Sequence, residues 1–204
     1  MWKRILLPLF AFFLASPVGF WAFQAPTAEH ATVKKIPPTT HWTEDARKRL
    51  LAKAQGGDAN SQMWLATAYE QGWFGEANIA EALRWFRKSA ANGNPDAQYC
   101  LGQMYEDGEG VPQNYAQAAK WYRKAAEHVP DLGGAGQGRH HLGQLYLNGQ
   151  GVPKDLVLAY MWFLLARTET NFSEAKAQMT PAQIAKAERM AADWINSHPD
   201  PPAR

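Results

Sequence analysis

The feature that most constrains this chain is that it repeats itself. Leu65-Ala66 and Tyr69 are matched by Leu101-Gly102 and Tyr105, Gly72 by Gly108, Ala82 by Ala118, Trp85 by Trp121 and Ala90 by Ala126, always at an offset of 36 residues with no gap. A third copy, Leu142-Gly143, Tyr146, Gly149, Gly151-Val152-Pro153, Ala159 and Trp162, follows 41 residues further on. The extra five residues fall in the glycine-rich stretch around 133–138. A period of this size marks a structure built by stacking, because one unit cannot bury its apolar face alone and its neighbour must cover it.

Each copy reads as two helices. In the second, Asn94-Pro95 supplies an N-cap and a first-turn proline, and Ala97, Leu101, Met104 and Tyr105 recur at helical spacing. Gly108 and Gly110 end that helix and Val111-Pro112 turns the chain. Asn114 caps a second helix whose Tyr115, Ala118, Ala119, Tyr122 and Ala126 share a face. In the first copy Asn78 is followed three residues later by Glu81, a capping-box pattern. Gly102 and Gly143 are small enough to let helices approach closely, with Trp and Tyr filling the layer between, so the nine tryptophans are partly a repeat effect.

The string Leu101-Gly102-x-Met104-Tyr105-x-x-Gly108-x-Gly110-Val111-Pro112-x-Asn114-Tyr115, running on to Ala118-Ala119-Lys120-Trp121-Tyr122-x-Lys124-Ala125-Ala126, resembles the Sel1-like repeat, a relative of the tetratricopeptide repeat. The third copy fits nearly as well. The first departs, with Trp73-Phe74-Gly75-Glu76 in place of the Gly-x-Gly-Val-Pro turn. The resemblance implies an all-α fold, an α-α solenoid of three helix-pair repeats used mainly as a protein-interaction scaffold. Cysteine-rich relatives carry one disulfide per repeat; this chain, with Cys100 alone, does not.

The second helices show where the stack stops. Outward positions read Arg84, Arg87, Lys88 in copy one and Lys120, Arg123, Lys124 in copy two, but Met161, Leu164, Leu165 in copy three. An apolar outer face needs a cover. Thr180-Pro181 opens a last helix with Ile184, Ala187, Ala191, Trp194 and Ile195 at helical spacing. At the other end residues 43–55 read as a helix closed by Gly56-Gly57. The expected organisation is an N-terminal helix at 42–57, repeats at 58–93, 94–130 and 131–170, a capping helix at 180–197 and a disordered tail at 198–204.

Ahead of the repeats, Lys3 and Arg4 precede residues 5–23, which hold no charge. This is the layout of an export signal, and its length sits at the border between a cleaved signal peptide and a retained membrane anchor. Residues 1–24 are read as one or the other, and residues 25–41, with Pro26, Pro37, Pro38 and several threonines, as an extended tether. Basic residues at the start predict the body on the far side of the membrane: exported, and periplasmic in a bacterium, either soluble or anchored to the inner membrane by residues 5–23. There are 21 Lys+Arg against 19 Asp+Glu, and the excess belongs to Lys3 and Arg4. The neutral body argues against nucleic-acid binding.

No sequence motif of catalysis is present. The glycines at 133–138 lack the Lys-Ser/Thr of a phosphate loop. His140 and His141 are adjacent on a helix, about 100° apart, which does not suit a shared metal. One cysteine excludes a disulfide framework and a multi-cysteine zinc site. Cys100 and His141 share a repeat position, so a thiolate–imidazole pair is the formal catalytic hypothesis; Trp64 at the same position reads as a packing slot instead. No catalytic residue, metal or cofactor is assigned.

By similarity to tetratricopeptide repeats, the first helix of each pair would line a concave groove. The groove positions are then Met63, Thr67 and Glu70 in copy one, Tyr99, Gln103 and Glu106 in copy two, and His140, Gln144 and Leu147 in copy three. Met63, Tyr99 and His140 would form an apolar floor with polar tips, suited to a peptide with apolar anchors. The leading expectation is an exported, non-enzymatic scaffold binding a protein or peptide partner in the cell envelope. The alternative is an envelope enzyme or cell-wall-polymer-binding module using the same groove.

Overall fold

The computed structural model describes residues 43–129, 133–167 and 172–199. The expected signal or anchor, the whole of the expected tether and residues 200–204 of the expected tail lie outside the described residues. Every helix of the repeat region starts where a polar side chain or glycine releases the backbone. Asp58, Asn94, Asn78, Asn114 and Asp155 each accept a first-turn N–H, satisfying a donor that has no partner inside the helix. The first helices of the three pairs are α2 (Ala59–Glu70), α4 (Pro95–Asp107) and α6 (Gly134–Asn148). The second are α3 (Ile79–Ala91), α5 (Tyr115–Ala126) and α7 (Leu156–Ala166). Preceding them is α1 (Glu44–Gln55); following them are α8 (Phe172–Ala177) and α9 (Pro181–Ser197). All regular structure among the described residues is helical.

Within a pair the helices pack because a small residue faces a ring. Phe86, Tyr122 and Phe163 share a repeat position and are fully buried. They stand against the position of Ala66, Gly102 and Gly143. A Cβ on Gly102 would lie 2.3 Å from Tyr122 Cε1, and one on Gly143 would lie 2.7 Å from Phe163 Cε1. Neither glycine has a positive φ; close approach alone requires it.

The turn of the first repeat differs in sequence but closes by the same bond as the others. Asn78 N–H donates to Tyr69 O (2.8 Å), Asn114 N–H to Tyr105 O (2.7 Å) and Asp155 N–H to Tyr146 O (3.0 Å). Gly72 takes the left-handed conformation of Gly108 and Gly149, so the helix exit is conserved where the Gly-Val-Pro sequence is not.

Successive pairs are joined by a buried donor at one repeat position. Gln62 Nε2 donates to Ala54 O (2.9 Å), and Gln98 Nε2 to Ala90 O (3.1 Å). These carbonyls end the preceding helix and have no partner within it. The equivalence places α1 where the second helix of an earlier pair would stand. A second joint repeats as well: Asn92 Nδ2 donates to Gln62 Oε1 (2.9 Å), and His128 Nε2 lies 3.1 Å from Gln98 Oε1. At the third pair the donor is Arg139, 2% exposed. Its Nε reaches Ala126 O (2.9 Å), Nη2 reaches His128 O (2.8 Å) and Nη1 reaches Leu165 O (3.3 Å). Its guanidinium lies 4.6 Å from the Trp194 ring centroid. One cation thus serves the C-terminal ends of α5 and α7, where the helix dipoles favour positive charge.

The apolar outer face of α7 is covered as expected. Met161, Trp162 and Leu165 are buried, and α9 packs on α7 with Trp162 and Trp194 in edge contact at 6.5 Å. Thr180 opens α9 with a capping box closed by Gln183. The glycine-rich stretch has a packing role. A Cβ on Gly134 would sit 2.3 Å from Pro95 O, and the Gly134 N–H donates to Asp96 Oδ1 at 2.6 Å. The start of α6 therefore lies flush against the start of α4.

Candidate functional site

The first helices of the pairs share one outward stripe. On α2 and in the turn after it, Asn60, Trp64 and Gln71 are exposed; on α4 Asp96, Cys100 and Gln103 are half-buried and Asp107 exposed; on α6 Gln137, His141 and Gln144 are half-buried and Asn148 exposed. Their spacing is the i, i+4, i+7, i+11 pattern of one helix face, and the three sets coincide under the repeat offsets. This A-helix face is the surface that a stack of pairs leaves on the side opposite α3, α5 and α7.

The expected groove residues are placed differently from the expectation. Met63, Tyr99, Thr67 and Leu147 are buried, so the supposed apolar floor is core rather than surface. Gln103 and Gln144 do lie on the outward stripe, and Glu70, Glu106 and His140 are half-buried at its flank. The outward column of these helices is one residue further on, at Trp64, Cys100 and His141. A 63, 67, 70 stripe and a 64, 67, 71 stripe share Thr67, and one residue on a helix is about 100°. The missed signal was the run of carboxamides and acids at Asn60, Gln71, Asp96, Asp107, Gln137 and Asn148.

Around Glu106 the flank becomes a polar network. Tyr122 Oη donates to Glu106 Oε2 (2.5 Å), His141 Nδ1 lies 3.2 Å from the same oxygen, and His141 Nε2 lies 3.4 Å from Tyr99 Oη. The rings of Tyr122 and His141 are 5.0 Å apart. Burial, and next to it the Glu106 carboxylate, holds the Tyr122 hydroxyl protonated well above the usual phenol range. Burial raises Tyr99 in the same sense, and it lowers the His140 imidazole, reinforced by His141. The Tyr122 hydroxyl and the His141 ring converging on one carboxylate make a structural clasp between α4, α5 and α6.

His141 therefore bonds Glu106 and Tyr99, while Cys100 packs against the two core clusters. Burial, and then the Glu70 and Asp96 carboxylates, pushes the Cys100 thiol far above its ordinary range, the reverse of what an activated nucleophile needs. Among the described residues no group of three His, Cys, Asp or Glu is placed to hold a metal ion, and no helix is long and apolar enough to cross a membrane.

Charge is partitioned by layer. The helices α2, α4 and α6 carry Glu70, Asp96, Glu106 and Asp107, and their one Lys or Arg is the buried Arg139. Glu109 follows at the end of α4. The opposite helices α3 and α5 expose Arg84, Arg87, Lys88, Lys120, Arg123 and Lys124.

The Sel1 repeat pattern matches residues 59–94, 95–128 and 137–170. This chain belongs to the Sel1 repeat family. Its fold is similar to the crystal structure of a protective antigen from uropathogenic Escherichia coli strains that displays an SLR fold, with 32% identity over 76% of this chain and a TM-score of 0.65. The chain spans about a third of that antigen, 34% of its length. It is also similar to a Sel1 repeat protein from Oxalobacter formigenes, with 34% identity over 72% of this chain and 98% of that one, at a TM-score of 0.52. No curated protein sequence matches the chain. Sel1 repeat proteins are generally non-catalytic scaffolds for protein–protein interaction.

Proposed function

We propose that this Sel1 repeat protein is an exported, non-enzymatic scaffold that holds an extended segment of another protein along its A-helix face. The observation that carries the reading is the outward stripe of carboxamides in matching register on three helices: Asn60 and Gln71, then Gln103, then Gln137, Gln144 and Asn148. A carboxamide donates and accepts at once. A row of them can pair with the N–H and C=O groups of an extended backbone while leaving side-chain choice to the columns between. The non-enzymatic part draws on the clasped state of Glu106 and the protonated state of Cys100. Export rests on Lys3, Arg4 and the uncharged residues 5–23.

Site-specific photo-crosslinking in intact cells tests both parts. A crosslinker at Gln103 is expected to trap a discrete protein adduct, and one at Lys120 on the opposite layer is not. Adducts from Lys120 with none from Gln103 would move the binding surface to the basic helices. Fractionation that leaves the full chain in the cytoplasm would remove the export reading.

A further inference from the structure

The second-helix layer of the stack carries cations at matching positions on three helices. Ala54, Ala90 and Ala126 receive the same joint, so α1 counts with α3 and α5 at offsets of 36 residues. Under that offset Lys48, Arg84 and Lys120 form one column, and all three are exposed. Two further columns pair Arg87 with Arg123 and Lys88 with Lys124, also exposed. The next member of the first column is the buried Met161, and the pattern stops there.

Acids do not balance these cations. Glu44, Asp45 and Glu81 sit in the first turns of α1 and α3, α5 has none, and Glu127 caps the far end of α5. Among the described residues the one salt bridge on this layer joins Arg84 Nη2 to Glu81 Oε2 at 3.1 Å, and an exposed pair of this kind is worth little. Lys88 Nζ lies 4.4 Å from the Trp85 ring centroid and Lys124 Nζ lies 4.4 Å from that of Trp121. A ring face positions an ammonium group without neutralising it. A face that is merely solvated carries both signs, as α9 does, where exposed Lys186 and Arg189 alternate with exposed Glu188 and Asp193.

The chain ahead of α1 bears on what this layer meets. Residues 5–23 read as a signal or anchor, and the tether that joins them to α1 carries Lys34-Lys35. With the anchor retained, residues 25–41 let the start of α1 stand no more than about 60 Å from the bilayer. The tether enters the solenoid at α1, which belongs to the basic layer.

We propose that the layer of α1, α3 and α5 docks on an anionic lipid surface, its lysines and arginines meeting phosphate headgroups. The A-helix face on the opposite side stays open to a partner. The proposal takes the membrane from the export reading and adds a second surface to the scaffold reading. Charge complementarity is the driving force: each Lys or Arg near an anionic bilayer strengthens binding about fivefold, and salt screens the attraction.

The test uses the full chain in lipid nanodiscs of phosphatidylcholine, with or without phosphatidylglycerol, that contain a lipid with a quencher on its headgroup. A fluorescent amino acid in place of Arg87 reads docking of the basic layer, and one in place of Asn148 reads the A-helix face. Residues 5–23 are expected to hold the chain equally in both discs, so a difference between them reads docking alone. Quenching at Arg87 is expected only with phosphatidylglycerol and is expected to vanish in high salt, while Asn148 stays bright. The triple variant Lys48→Gln, Arg84→Gln, Lys120→Gln should lower the docked-to-free ratio about tenfold or more. The charge-matched triple Lys154→Gln, Lys186→Gln, Arg189→Gln should leave it nearly unchanged, with helicity of both checked by circular dichroism. Equal quenching in the two discs, none in either, or the same loss from both triples would overturn the docking proposal. Those outcomes leave the scaffold reading, tested at Gln103, and the export reading, tested by fractionation, where they stood. A signal at Arg87 that responds to added polyglutamate and not to phosphatidylglycerol would overturn it too, and would assign the layer to an acidic protein segment.

Discussion

The second and third repeats use the same positions for opposite ends. Gln98 and Arg139 are equivalent, but Gln98 donates to the helix behind it through one bond, whereas Arg139 spans three carbonyls that include one of its own pair's second helix. On the outer layer Lys120, Arg123 and Lys124 are exposed, while Met161 and Leu165 are buried. A stack of this kind is therefore propagated by a modest amide joint and terminated by two changes made together: a stronger buried donor and an apolar outer face with its own cover. The repeat pattern itself does not distinguish the two cases; a handful of substitutions does.

The comparison is broken most severely by removing the cover. A chain ending at Thr180 loses α9 and exposes Trp162, Met161 and Leu165. It is expected to self-associate and to bind a hydrophobic dye, as measured by sedimentation and fluorescence; a monodisperse, dye-silent truncation would show that α7 needs no cap. Next in size is the joint. Arg139→Ala leaves three helix-end carbonyls without their donor and is expected to cost about 3 kcal/mol, against about 1 kcal/mol for Gln98→Ala, in chemical denaturation. Equal losses would mean that the terminal joint is no stronger than the internal one. The smallest effect concerns His140, which lies on the third pair and has no counterpart histidine at Tyr99. Burial lowers its pKa below the ordinary 6.5, so the unfolded chain binds more protons than the folded one between those two values. Stability is therefore expected to fall as pH drops below about 6.5, and His140→Gln should flatten that slope in thermal melts.

The architecture was legible because stacking imposes one period on many positions at once. The caps at Asn78, Asn94 and Asn114, and the apolar outer positions at Met161, Leu164 and Leu165, carried direct physical meanings that the structure bears out. The loop at Trp73-Phe74-Gly75-Glu76 looked irregular because the shared feature, the N–H of Asn78 on Tyr69 O, is a backbone bond with no side-chain signature. The surface was harder. Exposed and buried faces of α2 differ by a single residue of register, and an alanine-rich helix with Trp64 on its open side offers little contrast. The joint at Gln62, Gln98 and Arg139 was not read from the sequence. Its acceptors, Ala54, Ala90 and Ala126, could be named only once the helix ends were placed. For His141 a pair with Cys100, its repeat equivalent, was only the formal hypothesis set against a packing slot; Glu106 and Tyr99 hold it.

The direction of the joints has a consequence for how the molecule is made. Gln62 and Gln98 bond to carbonyls that precede them by eight residues, so each pair can dock on finished chain as soon as it leaves the ribosome. Arg139 is different: Leu165 O lies 26 residues downstream, and Trp194, which covers the guanidinium, is later still. The nascent solenoid grows by backward-looking steps and seals only when its last helix has been synthesised, with a buried cation waiting for the final two pieces of its site.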